Sequence, residues 1–285
     1  MEILKKECIS LSVKDYNEDT AYVGENFAWV IDGATGLNGR NFIDEKSDAR
    51  WFVKKWNDFL IENIMEKDVE LEDMVREGIG LIKDEYFSNI GPEYKDDLEP
   101  IDFPSSTIAI IRFMDNILEY FVLGDCMIVI GKEDGTNSII VDESLNRLDG
   151  RVIDFMTNEK LNNNLTHAAA REKAMDLLIK HRLMKNKPGG YWSLEFSEEA
   201  AKNALKGKEI LHGKNKILMM SDGFSVLFNK YLHLDEKEII EFVEIKGLDR
   251  SYSIIREIEN NDSECIEYPR LKKSDDSSAV FLELI

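Results

Sequence analysis

Four aspartates of this sequence stand where a run of strand-forming residues ends or begins. Asp19 follows the N-terminal strand-like segment in YNEDT, Asp32 ends FAWVIDG, Asp222 ends KILMMSDG, and Asp275 precedes SSAVFLEL. A carboxylate at a strand end is held in place by the sheet and still reaches solvent, as a site for a hard cation requires. Oxygen ligands select Mg²⁺ or Mn²⁺ over zinc, so the pattern indicates a site for one of these ions.

Two of these aspartates are followed at once by glycine, in Asp32-Gly33 and Asp222-Gly223. Glycine permits a positive φ and leaves a backbone carbonyl free to face an ion, so each pair offers both side-chain and main-chain oxygens. One Asp-Gly pair is more often a simple turn, and it is the recurrence that indicates a metal site. The four histidines and three cysteines are scattered without the spacing of a zinc site or a disulfide framework.

Local patterns predict the elements that position these residues. Short segments rich in β-formers predict strands over residues 3–13, 20–23 and 27–31, and apolar residues at helical spacing predict two helices after Gly39. Three strand-like runs between Ser105 and Val141, joined by turn-type dipeptides, predict an antiparallel meander.

In the second half of the chain, composition predicts a helix over residues 166–185, a short helix over 197–206, two later helices and a final strand over 278–284. No linker, repeat or low-complexity tract interrupts the sequence, which predicts one domain over residues 1–285. Strands grouped in runs, with helices grouped between them, indicate an α+β layered sandwich rather than a regular βαβ alternation.

The charge and composition narrow the classes of partner. With 56 acidic against 36 basic residues, the formal net charge of -20 argues against nucleic acid or an anionic membrane as the main partner. No stretch approaches the roughly 20 apolar residues of a membrane span, and the N-terminal residues lack a signal-peptide core. We therefore expect a cytoplasmic protein, and the sequence does not indicate its oligomeric state.

These motifs resemble, in order and over most of the chain, those of the type 2C (PPM) family of metal-dependent protein phosphatases, bacterial type. NEDT resembles the opening acidic motif, VIDGATG the Asp-Gly metal motif, SSTIAII the Ser-Thr strand and FVLGDCMIVI the Gly-Asp-Ser strand turn. MMSDGF and SDDSSAVFL resemble the two closing metal motifs.

The resemblance implies a four-layer α-β-β-α sandwich in which two central antiparallel sheets are flanked by helices. It implies that two Mn²⁺ or Mg²⁺ ions activate a water that hydrolyses phosphoserine or phosphothreonine of a protein substrate. The metal ligands that it implies are Asp32, the Gly33 carbonyl, Asp222 and Asp275, with Asp19 and Glu18 directly or through water, and with Asp125 at a third, weaker ion.

The chain also departs from the family pattern. Lys14 stands where the family usually has the arginine that binds substrate phosphate, which keeps the charge but loses the two-pronged grip. Ala34 stands where some members carry a histidine proposed as the leaving-group acid, so a water would take that role. Residues 142–195 correspond to the variable flap of the family.

The sequence is compatible in part with two other functions. GATGLNG within VIDGATGLNGR matches a glycine-rich dinucleotide-binding turn, but the polar RNFIDEKSD that follows is unsuited to the first helix of such a fold. The second alternative is a catalytically silent protein of the same fold that acts as a binding or regulatory module. The presence of all the expected aspartates argues against it.

Overall fold

The computed structural model describes residues 2–66 and 68–285. Within this part of the chain, ten strands form two antiparallel five-stranded sheets. The strands are β1 (Ile3–Leu11), β2 (Thr20–Val23), β3 (Phe27–Gly33), β4 (Ser106–Met114), β5 (Ile117–Leu123), β6 (Met127–Gly131), β7 (Asn137–Ile140), β8 (Leu205–Ile210), β9 (Asn215–Met220) and β10 (Ser277–Leu284). Sheet 1 has the order β1-β10-β9-β6-β7, and sheet 2 has the order β2-β3-β4-β5-β8.

Helices cover the outer faces of both sheets. They are α1 (Asp48–Asn63), α2 (Leu71–Asn89), α3 (Ser144–Asn163), α4 (His167–Lys173), α5 (Met175–Arg182), α6 (Glu199–Lys202), α7 (Asp222–Val226), α8 (Glu236–Lys246) and α9 (Leu248–Asn261). A 3-10 turn spans Pro92–Tyr94, and a π-helical turn over Leu227–Leu232 continues α7.

The central strands are apolar on both faces because each face is buried. In β3, Ala28 and Val30 point between the sheets and pack against residues of sheet 1 such as Ile128 and Val280. The alternate residues Trp29 and Ile31 point outward into the cluster that sheet 2 forms with α1 and α2. This explains why FAWVI is a continuous apolar run rather than an alternating one.

The outer face of sheet 1 has its own apolar cluster. Met127, Leu218 and Phe281 of three neighbouring strands pack there against side chains of α7, α8 and α9. The layers are therefore helix, sheet, sheet and helix, and the predicted α+β four-layer sandwich is confirmed. Among the described residues, none of the helices combines the length and the apolar character that crossing a membrane would require.

Two predictions about the strands and helices are wrong, and a third is refined. The runs between Ser105 and Val141 are not one meander, because β4 and β5 pair in sheet 2 whereas β6 pairs with β7 and β9 in sheet 1. The short helix ends at Lys202, and the polar segment after it forms the exposed edge strand β8. The helix expected over residues 166–185 is divided into α4 and α5 at Ala174.

The dinucleotide alternative is also wrong. It requires β3 to lead through a helix into a parallel neighbour, but β3 is antiparallel to both β2 and β4. The GATGLNG segment is an irregular loop, and the next helix begins only at Asp48.

Candidate metal centre

The two sheets each bring two of the predicted aspartates to the same end of the sandwich. In sheet 2, Asp19 directly precedes β2 and Asp32 is the next-to-last residue of β3. In sheet 1, Asp222 follows β9 as the first residue of α7, and Asp275 lies just before β10. Since β2 and β3 are neighbours, as are β9 and β10, the four carboxylates converge between the sheets.

Asp125 lies where the chain crosses from one sheet to the other. It stands between β5 of sheet 2 and β6 of sheet 1, after Gly124, whose φ is +84°. A Cβ at Gly124 would lie 2.3 Å from Cγ2 of Thr107, so only glycine fits this crossing. The crossing aims the buried Asp125 side chain toward Asp222, which is one of the causes of its raised pKa.

The pKa values of these carboxylates are raised by burial and by their neighbours' charges. Burial raises the pKa of Asp19 well above its usual range, and the nearby charges of Asp275, Asp276 and Asp222 raise it further. Burial likewise raises the pKa of Asp32, with Asp19, Asp222 and Asp125 adding to the effect. Carboxylates that repel one another in a buried cleft are stabilised by a cation between them.

The donor atoms fit Mg²⁺ or Mn²⁺. All the converging side chains supply oxygen, and Oδ2 of Asp19 is buried without a hydrogen-bond partner in the described protein. Among residues 2–66 and 68–285, however, no three such side chains already form a cage around one ion position. Burial and the neighbouring charge of Asp275 raise the pKa of Asp222, against the opposing effects of a nearby lysine and of a hydrogen bond with Asp32. Asp275 is paired with the same lysine, so that contact must open for an ion to bind Asp275.

That lysine is Lys272, which the sequence analysis missed. Its Nζ lies 2.6 Å from Oδ2 and 2.8 Å from Oδ1 of Asp275, and 35% of its side chain is exposed. Burial alone would lower the pKa of Lys272, but Asp275 and Asp222 raise it above its usual value. The ammonium therefore supplies positive charge inside the acidic cleft.

The two glycines of the Asp-Gly pairs are required for close packing rather than for a special backbone angle. A Cβ at Gly33 would lie 2.3 Å from the carbonyl oxygen of Glu18, and one at Gly223 would lie 1.9 Å from that of Asp276. Neither glycine has a positive φ, so that part of the prediction is wrong.

Lys14 and Glu18 lie beside the cleft and bind each other. Nζ of Lys14 donates to Oε2 of Glu18 at 2.8 Å, and hydroxyls of Thr35 and Ser47 also donate to the Glu18 carboxylate. Burial would raise the pKa of Glu18, but these three donors lower it. Glu18 as a metal ligand and Lys14 as a phosphate ligand therefore stay predictions.

Asp276 is a second residue that the sequence analysis did not single out. Its Oδ1 accepts from Oγ of Ser12 at 2.6 Å, and its Oδ2 accepts from the backbone N–H of Glu18 at 2.8 Å. It thereby fixes the loop that carries Asp19 against the loop that carries Asp275. Asp276 is the second aspartate of the SDDSS motif, and this was the sequence feature that could have indicated its role.

A cavity of about 580 Å³ extends from the acidic cleft under the flap segment, which we define as residues 142–195. Its walls include Asp32, Asp125, Asp222 and Asp275 at one end. Side chains of α3 and α5 in the flap segment also line the cavity, although the sequence did not indicate them. They are Leu145, Asp149, Leu178, His181 and Arg182.

Asp149 brings a further carboxylate to the cleft. Burial and the neighbouring charge of Asp222 raise its pKa to about 7, against the opposing effect of Arg182. The flap segment returns to sheet 2 through reciprocal backbone hydrogen bonds between Leu194 and Ser106, which is the residue paired with Gly33. The helices that cover the cleft are therefore tied to the strand that carries Asp32.

Comparison with known proteins identifies a family and a shared fold. The family described as protein phosphatase 2C matches residues 15–245. The serine/threonine phosphatase PstP/Ppp of Mycobacterium tuberculosis is 17% identical with a TM-score of 0.58, and 99% of each chain is covered. A PstP catalytic domain in complex with two manganese ions is 16% identical with a TM-score of 0.56, and all of both chains is covered.

The serine/threonine phosphatase of S. agalactiae is 14% identical with a TM-score of 0.54, and 99% of each chain is covered. At these identities the solved structures show a shared fold. No curated protein sequence matches the chain. The family match covers most of the sequence, and the resemblance found in the motifs is thereby confirmed. The chain belongs to the protein phosphatase 2C family.

Proposed function

We propose that this protein is a metal-dependent phosphatase that hydrolyses phosphoserine or phosphothreonine of protein substrates. The observation that carries the proposal is the convergence of Asp32, Asp125, Asp222 and Asp275 on the wall of one cavity, with the buried Asp19 beside them. Membership of the protein phosphatase 2C family supports it. The manganese ions of the PstP structure support the identity of the metal.

The residues that would hold two Mn²⁺ or Mg²⁺ ions are Asp19, Asp32, Asp222 and Asp275, with the carbonyl of Gly33 and with Glu18 through water. Asp125 would hold a third, weaker ion. Such ions supply positive charge that neutralises a phosphoryl group and a water nucleophile with a lowered pKa. The chain itself positions the carboxylates, because each is fixed at a strand end, and Asp276 fixes two of their loops to each other.

The cavity supplies the place for a substrate. Its wall contains the clustered carboxylates and side chains of α3 and α5. A phosphorylated side chain entering here would have its phosphate at the aspartates and its remaining atoms under the flap segment. The family's protein substrates favour phosphoserine or phosphothreonine of a protein over a free metabolite.

The experiment is hydrolysis of a phosphothreonine peptide in the presence of Mn²⁺ by the wild type and by Asp222→Asn. We expect at least a 100-fold loss in the variant, because one carboxylate that holds the ions is gone (about 3 kcal/mol). Asp249→Asn, on the exposed start of α9, is the matched control and should keep the wild-type rate. Equal rates for the wild type and Asp222→Asn would refute the proposal.

One observation favours the second candidate, a catalytically silent binding protein. Lys272 already neutralises Asp275, as an internal cation would in a protein that no longer binds metal. Calorimetry with Mn²⁺ discriminates between the two functions. Absence of binding at millimolar Mn²⁺ would favour the silent protein.

A further inference from the structure

Lys14, the residue expected to bind the substrate phosphate, is already paired with carboxylates. Nζ of Lys14 lies 2.8 Å from Oε2 of Glu18 and 3.7 Å from Oδ2 of Asp276, and it stands over the ring of Tyr16. Among the described residues that line the cavity, Lys14 does not occur. Lys14 is therefore held by carboxylates beside the cleft and is not part of the cavity wall.

Five basic side chains do line the cavity in the described part of the chain, namely Arg171, Arg182, Lys230, Arg270 and Lys272. Arg270 is a structural residue, because its guanidinium donates to Asp262 and to three backbone carbonyls. Lys230 donates to the carbonyl of Pro269 at 2.7 Å. Lys272 is bound by both carboxylate oxygens of Asp275.

Two arginines remain, and their positions differ. Arg171 lies on α4, and its buried Nε has no hydrogen-bond partner among the described residues, but its charge is not among the main causes of the shifted pKa of Asp149, whereas that of Arg182 is. Arg182 ends α5, and its charge lowers the pKa of Asp149, which in turn acts on Asp125. Arg182 is therefore the arginine at the acidic end of the cavity.

The guanidinium of Arg182 is weakly held. Its Nη1 donates to the carbonyl oxygen of Thr35 at 3.4 Å, which is a long contact, and Thr35 follows Asp32 by three positions in the loop after β3. Within residues 2–66 and 68–285, its other N–H groups have no hydrogen-bond partner, although the side chain is half-buried. A half-buried guanidinium with free donors beside a cation site is suited to bind an anion there.

We propose that Arg182, rather than Lys14, binds the phosphate of the substrate. The proposal rests on the proposed phosphatase function and names a residue of that site. A guanidinium donates two parallel hydrogen bonds to phosphate, which the ammonium of Lys14 cannot do. Since Arg182 belongs to the flap segment, the position of that segment sets the affinity for phosphate.

The test measures binding of inorganic phosphate by calorimetry at saturating Mg²⁺, so that it does not depend on turnover. The proteins are the wild type, Arg182→Gln, Arg182→Lys and Lys180→Gln, the last being an exposed basic residue of the same helix. We expect Arg182→Gln to weaken phosphate binding about 10- to 100-fold, Arg182→Lys to lose less, and Lys180→Gln to stay within about twofold.

Thermal unfolding of each variant and its affinity for Mg²⁺ show whether the fold and the metal site are intact. With a peptide substrate, Arg182→Gln should raise KM more than it lowers kcat. Wild-type phosphate affinity in Arg182→Gln would overturn the proposal, as would loss of affinity in Lys14→Gln alone. Absence of phosphate binding to the wild type would also overturn it.

Failure of the inference and failure of the proposed function are distinguishable. If the wild type binds phosphate through Arg182 but hydrolyses no phosphopeptide, the proposed activity is wrong and the assignment of Arg182 stands. If the peptide is hydrolysed and Arg182→Gln binds phosphate normally, the activity stands and the assignment is wrong.

Discussion

Two groups of buried charges lie toward opposite ends of β4 and are balanced in different ways. At one end, Ser106 pairs with Gly33 beside the clustered aspartates, and near the other Arg112 pairs with Phe27, about 20 Å away along the strand. The Arg112 guanidinium donates to Glu119 and to the carbonyls of Ile64, Glu66 and Val69. All its donors are used, and its charge has a buried partner.

The aspartates at the other end have the opposite balance. One buried oxygen of Asp19 has no hydrogen-bond partner among the described residues, and the carboxylates raise one another's pKa. A buried charge with every partner in place costs the fold little, whereas a cluster of like charges lowers stability until a ligand neutralises it. The comparison teaches that unbalanced burial, and not burial itself, indicates the functional end of the sandwich.

The largest expected effect tests the balanced pair. Arg112→Met should lower the free energy of unfolding by about 3 to 5 kcal/mol, because Glu119 is left buried without its partner. Urea unfolding measures this change. The double variant Arg112→Met/Glu119→Leu should recover most of the loss, and a loss below about 1 kcal/mol in the single variant would break the comparison.

The next effect concerns the pH dependence of the metal-free protein. The pKa values of Asp19, Asp32 and Asp125 are raised in the folded state, so the folded protein binds more protons than the unfolded one above the usual carboxyl pKa of 3.8. Their contribution to stability is therefore complete below about pH 4 and is lost as the pH rises through the raised values. For Asp149, whose pKa is about 7, the loss continues to neutral pH.

Urea unfolding in EDTA at pH 5.5 and 7.5 measures this loss. We expect the wild type to lose about 1 to 3 kcal/mol more than Asp32→Asn between these two pH values, because the variant has one fewer charge in the cluster. Saturating Mn²⁺ should remove the difference for the wild type. The same pH dependence in both proteins would show that the carboxylates do not repel one another.

The smallest effect concerns Lys272. Lys272→Met should raise the affinity for Mn²⁺ several-fold, about 1 kcal/mol or less, because the ammonium no longer competes for Asp275 and the side chain is partly solvated. Calorimetric titration with Mn²⁺ measures the change. Lys273→Met, which removes the exposed neighbour that pairs with Glu264, is the matched control. Unchanged or weaker binding in Lys272→Met would show that the lysine does not occupy the ion's place.

The positions of the clustered aspartates could be predicted because they depend on local pattern. A buried strand is recognised in the sequence by its run of apolar residues. The residue at which the run stops lies at the end of the strand, as Asp32 and Asp222 do. Lys272, Asp149 and Arg182 reach the same cleft through the packing of a loop and of the flap segment. No spacing within the sequence encodes that packing, so they could not be found.

The fold shows the same limit. Turn-type residues at Gly124-Asp125 predicted a reversal of the chain but not that the next strand would join the other sheet. Similarly, the need for glycine at positions 33 and 223 depends on the carbonyls of Glu18 and Asp276, which lie far away in the sequence. Local propensity determines which segments are strands, and long-range packing determines their partners.

The hydrogen bond between Ser12 and Asp276 joins residues 264 positions apart, and β10 lies between β1 and β9 in its sheet. During synthesis on the ribosome, β1 therefore cannot pair with β10 until nearly all the described chain has emerged. Contacts between residues so far apart in the sequence form slowly, because the entropy cost of closing the loop is met before the contacts form. The aspartates come together only after this closure, so acquisition of metal is expected to be a late, post-translational step.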